Sequence, residues 1–571
     1  MPYFGIPIRN GLPIGLGSVA GFGISPFDPS QLFSAGEQGA WYDPSDFTTL
    51  FEDAAGTLPI TSIGAGSQKF VGLMLDKSKG LVLGSDISLV SSTTVSSTGN
   101  TTLVSSAPAT SFYQISFSAT GLSASDRIRV TTSSPLYIGS YITVDGAYSF
   151  ILPANASGNI RINRDIASGP VNITNISVRE LPGNHATSSG TNRPELSARY
   201  NLLTYTEQFD NGAWVKGPTQ GIDVNDTTAP NGTTTADLIK DNNAGGTGLL
   251  AVYQNPTLSA NTSYTFLVYL KDAARTQYAA IRTFSFDASA NGYTYVNLTN
   301  GSIVSSDPAH TASAPIDAGN GWYLFAITVT LGADNTGAFA VYASQNGTNT
   351  TVDLDNTSGF YIWGADLRPA SQATGLIGPT YQRVADANTY DTAGFLPYLK
   401  FDGIDDSMST GSIDFTATDK MTVWAGVRKL SDAARGVVAE LSNNDANSFQ
   451  INAPSAVAPL DNFAFASRGS NFPGFAQASG YSAPISGVLT GIGQIDTDTN
   501  VLRVNGSQVA TNVVDQGTGN YGNYPLYIGE RGGAFFPFNG WLTSLIIRGA
   551  QSTQSQIEAT EAWVNGKTGA Y

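Results

Sequence analysis

The chain has 571 residues, of which 41% are hydrophobic and only 13% charged, where about a quarter charged is usual. Its net charge of −16 and the lack of any Lys/Arg cluster exclude nucleic-acid binding, which needs a basic footprint against phosphates, and disfavour an anionic membrane surface. The absence of cysteine removes disulfides, thiolate zinc sites and cysteine nucleophiles together, and fits a protein made in a reducing cytoplasm that later works outside it.

Residues 1–40 open with MPYFGIPIRNGLPIGLGSVAGFGISPFDPS. Pro and Gly interrupt every apolar run, so neither a signal peptide nor a membrane-spanning helix is expected. Phe4, Ile6, Ile8, Leu12, Ile14 and Leu16 recur between the breakers. Such a strip has no core of its own, and we expect an extended anchor that docks on another subunit. A disordered tail is the other reading, but such tails are usually less apolar.

Residues 41–85 read as a connector. From 86 to 182 short alternating segments follow one another, among them SFYQISFSATG, RIRVTTSS, YSFILPA and VNITNISVRELPG. Period-two alternation between Gly, Asn and Ser turns is the mark of half-buried strands in a sandwich or jelly roll. A polar linker covers 183–200. Residues 201–370 repeat the style, and their last strand, GFYIWGADLRP, is like NITNISVRELP at the end of the preceding unit. A second linker spans 371–397. Residues 398–571 hold about nine more strands and one helix, with Ser552 as N-cap, Thr553–Trp563 as body and Gly566 as stop. The expected class is all-β: tandem β-sandwich (jelly-roll) domains with an extended N-terminal anchor and one C-terminal helix.

Catalytic constellations are scarce. His185 and His310 are the only histidines, and both sit in Gly/Ser/Thr/Pro/Ala-rich stretches that read as surface loops. Neither a Ser-His-Asp triad nor a His-rich metal site is easily built from them. GTGNYG at 517–522 matches Gly-x-Gly-x-x-Gly by letters but runs into a strand rather than a helix, so it reads as a glycine loop. FDGIDDS offers Asp402, Asp405 and Asp406. An Asx turn between two strands leads; a calcium site is the alternative, although the EF-hand spacing is absent; a carboxylate pair for glycoside hydrolysis is the last. DTDTNV at 496–501 comes nearer to the calcium loop but has Val501 for its Gly and Ser507 for its Glu.

Aromatics are plentiful: 28 Phe, 25 Tyr and 7 Trp. In MTVWAGVR, alternation puts Met421, Val423, Ala425 and Val427 on one face and Thr422, Trp424 and Arg428 on the other. With the first face as core, Trp424 lies outward, free to stack a sugar, or else it is buried between sheets or under a loop. Arg428, Tyr524 and Arg531 join it as candidate carbohydrate-binding residues. Trp214, Trp322, Trp363 and Trp541 lie amid apolar strands and are expected in the core.

WYDPSDFTTLFEDAAGT, followed by VGLMLDKS, resembles the opening of many phage and prophage virion proteins. NLLTYTEQFDNGAWVK with TTTADLIKD is similar to the carbohydrate-binding-module-like sandwiches of phage tail proteins. YLKFDGIDDSM, LYIGERGG and FNGWLTSLIIRG resemble the laminin-G/concanavalin A-like lectin sandwich. The resemblance implies a bacteriophage structural protein located in the virion and assembled in the host cytoplasm. It would be a tail fibre or receptor-binding protein, adhering to host surface glycan and joined to other virion subunits through its N-terminus. It also implies a homo-oligomer, a trimer, with no enzymatic activity and no required cofactor beyond the calcium alternative. A capsid decoration or head-fibre protein is the runner-up. A polysaccharide depolymerase tailspike is the third reading, and it lacks the short repeats expected of a β-helix.

Overall fold

Period-two alternation resolves into antiparallel strands throughout the described residues. The computed structural model describes residues 27–571 apart from 64–67, 106, 109–110, 124, 133–140, 154–157, 374–380, 388, 392–394, 443–445 and 533–534. The anchor residues Phe4, Ile6, Ile8, Leu12, Ile14 and Leu16 lie outside the described residues. Among the described residues the one α-helix is Gln554–Thr568, so the protein is all-β, as expected.

The C-terminal sandwich holds two nine-stranded sheets. The first runs Lys69–Phe70, Glu195–Ser197, Tyr398–Asp402, Asn539–Arg548, Lys420–Lys429, Ile485–Gln494, Thr499–Val504, Ser507–Asn512, with Gly39–Tyr42 also paired to Asn539–Arg548. The second runs Leu50–Phe51, Leu73–Met74, Ala186–Thr187, Met408–Asp414, Asn523–Ile528, Val437–Leu441, Ser448–Asn452, Asn462–Arg468, Ala476–Ser479. Met421, Val423, Ala425 and Val427 face Leu441, Phe449, Phe465 and Leu526 in the core between them.

The domain limits expected from sequence change accordingly. Residues 41–85 and 183–200 are not spacers, because they supply strands to both sheets of the C-terminal sandwich. These strands are two to four residues long, too short to show a period, and Gly39–Tyr42 is buried at every position. The two other sandwiches are therefore insertions in the chain of the C-terminal one. Residues 27–40, the end of the expected anchor, also dock here: Leu32, Phe33 and part-buried Phe27 share a cluster with Trp41, Trp424, Ile557 and Val564.

The first insertion packs Gly99–Val104, Ile160–Ile166 and Arg127–Thr132 against the sheet Ser92–Val95, Val171–Leu181, Phe112–Thr120, Gly146–Pro153. The second packs a six-stranded sheet against a seven-stranded one. The two closing strands that look alike in sequence, Val171–Leu181 and Gly359–Pro369, are both eleven residues long and both interior to their sheets. The start of the second linker folds back on this sandwich, where Gln382 Oε1 accepts the Asn201 N–H at 2.8 Å.

The helix begins one residue later than the sequence reading and ends later too. Thr553 is its N-cap and forms a capping box with Gln556, an arrangement that satisfies two orphan donors reciprocally. Gly569, at φ 62, is the stop, because the left-handed conformation suits glycine. Gly566 lies inside the helix.

Candidate functional site

Strands of the second sandwich alternate so that their apolar residues split into two sets. Val252, Ala279, Ile281, Val296, Phe339, Val341 and Ala343 fill the core. The residues between them point away from that core, and a second cluster forms there from Ala251, Ala280, Ala340, Tyr342, Tyr253, Phe284, Tyr293 and Tyr295. Every member of it comes from the six-stranded sheet, whose order is Val215–Lys216, Ala251–Gln254, Ala338–Ser344, Tyr278–Phe284, Gly292–Asn297, Ile303–Ser306.

Register arranges these side chains as a checkerboard. One cross-strand row reads Ala251, Tyr342, Ala280, Tyr295; the next reads Tyr253, Ala340, Arg282, Tyr293. Large and small alternate along the first row, while in the second Arg282 stands directly beside Tyr293, and the alanine methyls of Ala251, Ala280 and Ala340 floor the spaces between the larger side chains. With strands about 4.8 Å apart, each row extends about 14 Å. Tyr293 and Tyr295 are stacked at 5.7 Å with 12° between their planes, and Phe284 meets Tyr253 edge-on at 5.1 Å.

Arg282 is the charged centre of this face. Its Cζ lies 4.7 Å from the Phe284 ring centroid, 4.8 Å from that of Tyr293 and 5.3 Å from that of Tyr342, within cation–π range. One terminal nitrogen donates to Tyr342 Oη at 3.0 Å, while its Nε is buried without a partner. Burial first, and then the neighbouring Tyr293 and Asp307, raise the Tyr295 hydroxyl above its ordinary pKa; burial does the same for Tyr342. Both phenols therefore stay neutral donors and acceptors.

His310 supports this face from behind. Its Nε2 is 2.7 Å from Thr283 Oγ1 and its Nδ1 is 3.0 Å from Thr294 Oγ1. Thr283 follows Arg282, and Thr294 separates Tyr293 from Tyr295. Thr283 Oγ1 donates to the Ala290 carbonyl, so His310 Nε2 is the donor to it and Nδ1 accepts from Thr294. The surface-loop reading of both histidines is overturned: His310 is 6% exposed and His185 fully buried. His185 Nδ1 accepts the Asp76 N–H at 2.9 Å, which ties the segment after the first insertion to the strand before it.

The residues expected to bind carbohydrate do not converge. Trp424 does point away from the core, as alternation requires, but it is fully buried under the C-terminal helix by Val488, Ile546, Ile557 and Val564. It cannot stack a sugar there. Arg428 is buried as well; it donates to Ser486 Oγ at 3.2 Å and lies 5.4 Å from the Trp541 ring. Tyr524 is part-buried and packs against the core. Arg531 stands apart from these, paired through Nε with Glu440 Oε2 at 2.8 Å. Trp214, Trp322, Trp363 and Trp541 are buried, as expected.

Asp402, Asp405 and Asp406 are brought together, with one carboxylate oxygen of each within 4.8 Å of the others. The turn between the two strands is an Asx turn: Asp402 Oδ1 accepts the Ile404 N–H at 2.7 Å, and Asp406 Oδ2 accepts the Asp402 N–H at 2.9 Å. Gly403 is needed at φ +77, where a Cβ would come within 2.8 Å of the Asn539 side chain. Burial, then the charges of Asp402 and Asp405, push the Asp406 carboxyl up to about 7. All the donors are oxygens, the ligand type that calcium takes. In DTDTNV, Asp498 Oδ1 accepts the Gln516 N–H at 2.8 Å and so serves the fold.

The sequence carries a short-range signal for the aromatic face. GYTYVN and YAAIRTF each place an aromatic or arginine pair on a single strand face by period two alone.

No family model matches this chain, and no curated protein matches it. Among solved structures, the chain is similar to the tandem CBM22-1–CBM22-2 domain of Paenibacillus barcinonensis Xyn10C, at 11% identity over 51% of this chain and 98% of that one, with a TM-score of 0.26. It is similar to the CBM40 module of the Ruminococcus gnavus IT-sialidase at 13% identity over 27% of this chain and 97% of that one, with a TM-score of 0.22. It is also similar to domains LG4-5 of the mouse laminin α1 chain, at 11% identity over 64% and 95% of the two chains, with a TM-score of 0.22.

Proposed function

We propose that this chain is an adhesion protein that binds glycan and carries out no reaction. One observation carries this reading: the outward face of part-buried Tyr253, Phe284, Tyr293 and Tyr295 around Arg282, over a floor of Ala251, Ala280, Ala340 and the buried Tyr342. A pyranose ring has an apolar C–H face that stacks on an aromatic ring, and hydroxyls that accept from a planar guanidinium fork. Aromatics pre-packed by their neighbours lose little conformational freedom on binding.

Within that reading the protein is a bacteriophage tail fibre or receptor-binding protein. Its support is the resemblance of WYDPSDFTTLFEDAAGT and VGLMLDKS to virion proteins, together with the apolar N-terminal strip of residues 4–16. The strip joins other virion subunits, the chain works as a homo-oligomer, a trimer, and copies on one particle raise avidity without new contacts.

The test is binding of the full chain to a glycan array and to host cells, beside a Tyr293→Ala/Tyr295→Ala variant. We expect the variant to keep its melting profile and to bind at least about tenfold more weakly. Full binding by the folded double variant, or no glycan bound by the native chain, would overturn the reading.

A further inference from the structure

We propose that a groove on the outer face of the C-terminal sandwich is a second ligand site, which takes an uncharged or amine-bearing sugar through hydrogen bonds to Glu530. The groove encloses about 470 Å³ between the turn at 187–192 and the strand Met408–Asp414, within the size range of small-molecule sites. Ser189, Asn192, Ser407, Ser409, Tyr527 and Glu530 line it. Ser409 is the cross-strand partner of both Thr187 and Tyr527, so hydroxyls and one aromatic ring are held in a single row on rigid strands.

Glu530 is the reason to expect a ligand. It is 8% exposed, and its Oε2 is buried without a hydrogen-bond partner. Leaving such an acceptor unmet is costly, and a turn of the Glu530 carboxylate toward a hydroxyl or amine donor in the groove it lines would remove that cost. Charge then narrows the class. Asp405 lies at the same end, its Oδ2 3.4 Å from Thr191 Oγ1, with Asp402 and Asp406 beside it. Of the nearby cations, Lys400 is paired with Glu195 at 2.9 Å and Arg531 with Glu440 at 2.8 Å, and Arg193 is held by the Gly190 and Glu52 carbonyls at 3.1 and 2.6 Å. A sugar carboxylate would meet Glu530 and the three aspartates at close range, whereas hydroxyl and ammonium donors would be accepted by them.

This site is independent of the aromatic face, which lies in another sandwich. The test is saturation-transfer NMR of the full chain with glucose, galactose, glucosamine and glucuronate, repeated on the Tyr293→Ala/Tyr295→Ala variant so that the aromatic face is out of play. We expect transfer to at least one of the first three sugars and none to glucuronate in that variant. Adding Glu530→Gln should weaken binding about tenfold, and Ser189→Trp, at an exposed position, should abolish it by filling the groove; melting profiles confirm folding. Silence from all four sugars, equal transfer to glucuronate, or binding untouched by both groove substitutions would overturn the proposal. Failure here leaves the aromatic-face reading standing, because that reading is judged by the array signal lost in the Tyr293→Ala/Tyr295→Ala variant, best read with Ser189→Trp also present to close the groove.

Discussion

Arg503, on the strand Thr499–Val504, and Glu561, on the C-terminal helix, form a two-point ion pair, with Nε to Oε1 at 2.7 Å and Nη2 to Oε2 at 3.0 Å. Thr490 Oγ1 adds a third bond to Oε1 at 2.8 Å. This pair locks the helix over Trp424. Removing one partner of a buried pair leaves an uncompensated charge, at about 3–5 kcal/mol. We expect Glu561→Ala to lower the melting temperature, red-shift tryptophan fluorescence as Trp424 meets water, and open residues 549–571 to proteolysis. An unchanged emission maximum would separate the ion pair from the sealing of Trp424.

Arg282→Lys tests what the guanidinium does on the aromatic face. A lysine ammonium keeps the charge but has neither the planar fork nor the stacking surface. We expect glycan binding to fall about tenfold with a melting shift of a degree or two at most. Isothermal titration with the tightest array ligand reads this directly.

His310 makes the second sandwich acid-sensitive. Burial holds its imidazole down to about 4 from the ordinary 6.5. The folded state thus favours the neutral ring, because burial penalises the charged imidazolium. Its stabilisation is complete above about pH 6.5 and is lost as pH falls to about 4, by about 3 kcal/mol in all. Urea midpoints between pH 7 and 4 should fall more steeply for the native chain than for His310→Gln.

Asp406 has the opposite sign. Its carboxyl is raised from the ordinary 3.8 to about 7, so the fold prefers it protonated. That preference is fully present below pH 3.8 and is lost as pH rises through 7, by about 2–4 kcal/mol. Asp406→Asn keeps an oxygen for the Asp402 N–H. In buffer with EDTA the variant should melt higher than the native chain at pH 8, and the gap should close toward pH 4. A native chain that melts as high at pH 8 as the variant would contradict the raised carboxyl.

Single-strand faces were legible, and coverage of those faces was not. Alternation in MTVWAGVR places Met421, Val423, Ala425 and Val427 inward and Trp424 outward, and the sheet agrees. Whether an outward face meets solvent depends on what lies over it, and a helix more than a hundred residues downstream covers Trp424. The same limit hid the aromatic face. Tyr293 and Tyr295 share a side by period two, as do Ala280, Arg282 and Phe284, but the rows form only because Ala251–Gln254, Ala338–Ser344, Tyr278–Phe284 and Gly292–Asn297 pair in that spatial order.

From sequence alone come the all-β class, the long strands, the buried tryptophans at 214, 322, 363 and 541, and a charge balance hostile to nucleic acid. These depend on composition and on neighbours two residues apart, which any window of the chain displays. Tertiary structure decided that residues 39–74, 186–197 and 398–548 share two sheets, that Trp424 is sealed, and that the aromatic rows assemble. Pairing between remote segments is selected by the fit of whole faces against one another, and no local stretch of chain encodes that fit.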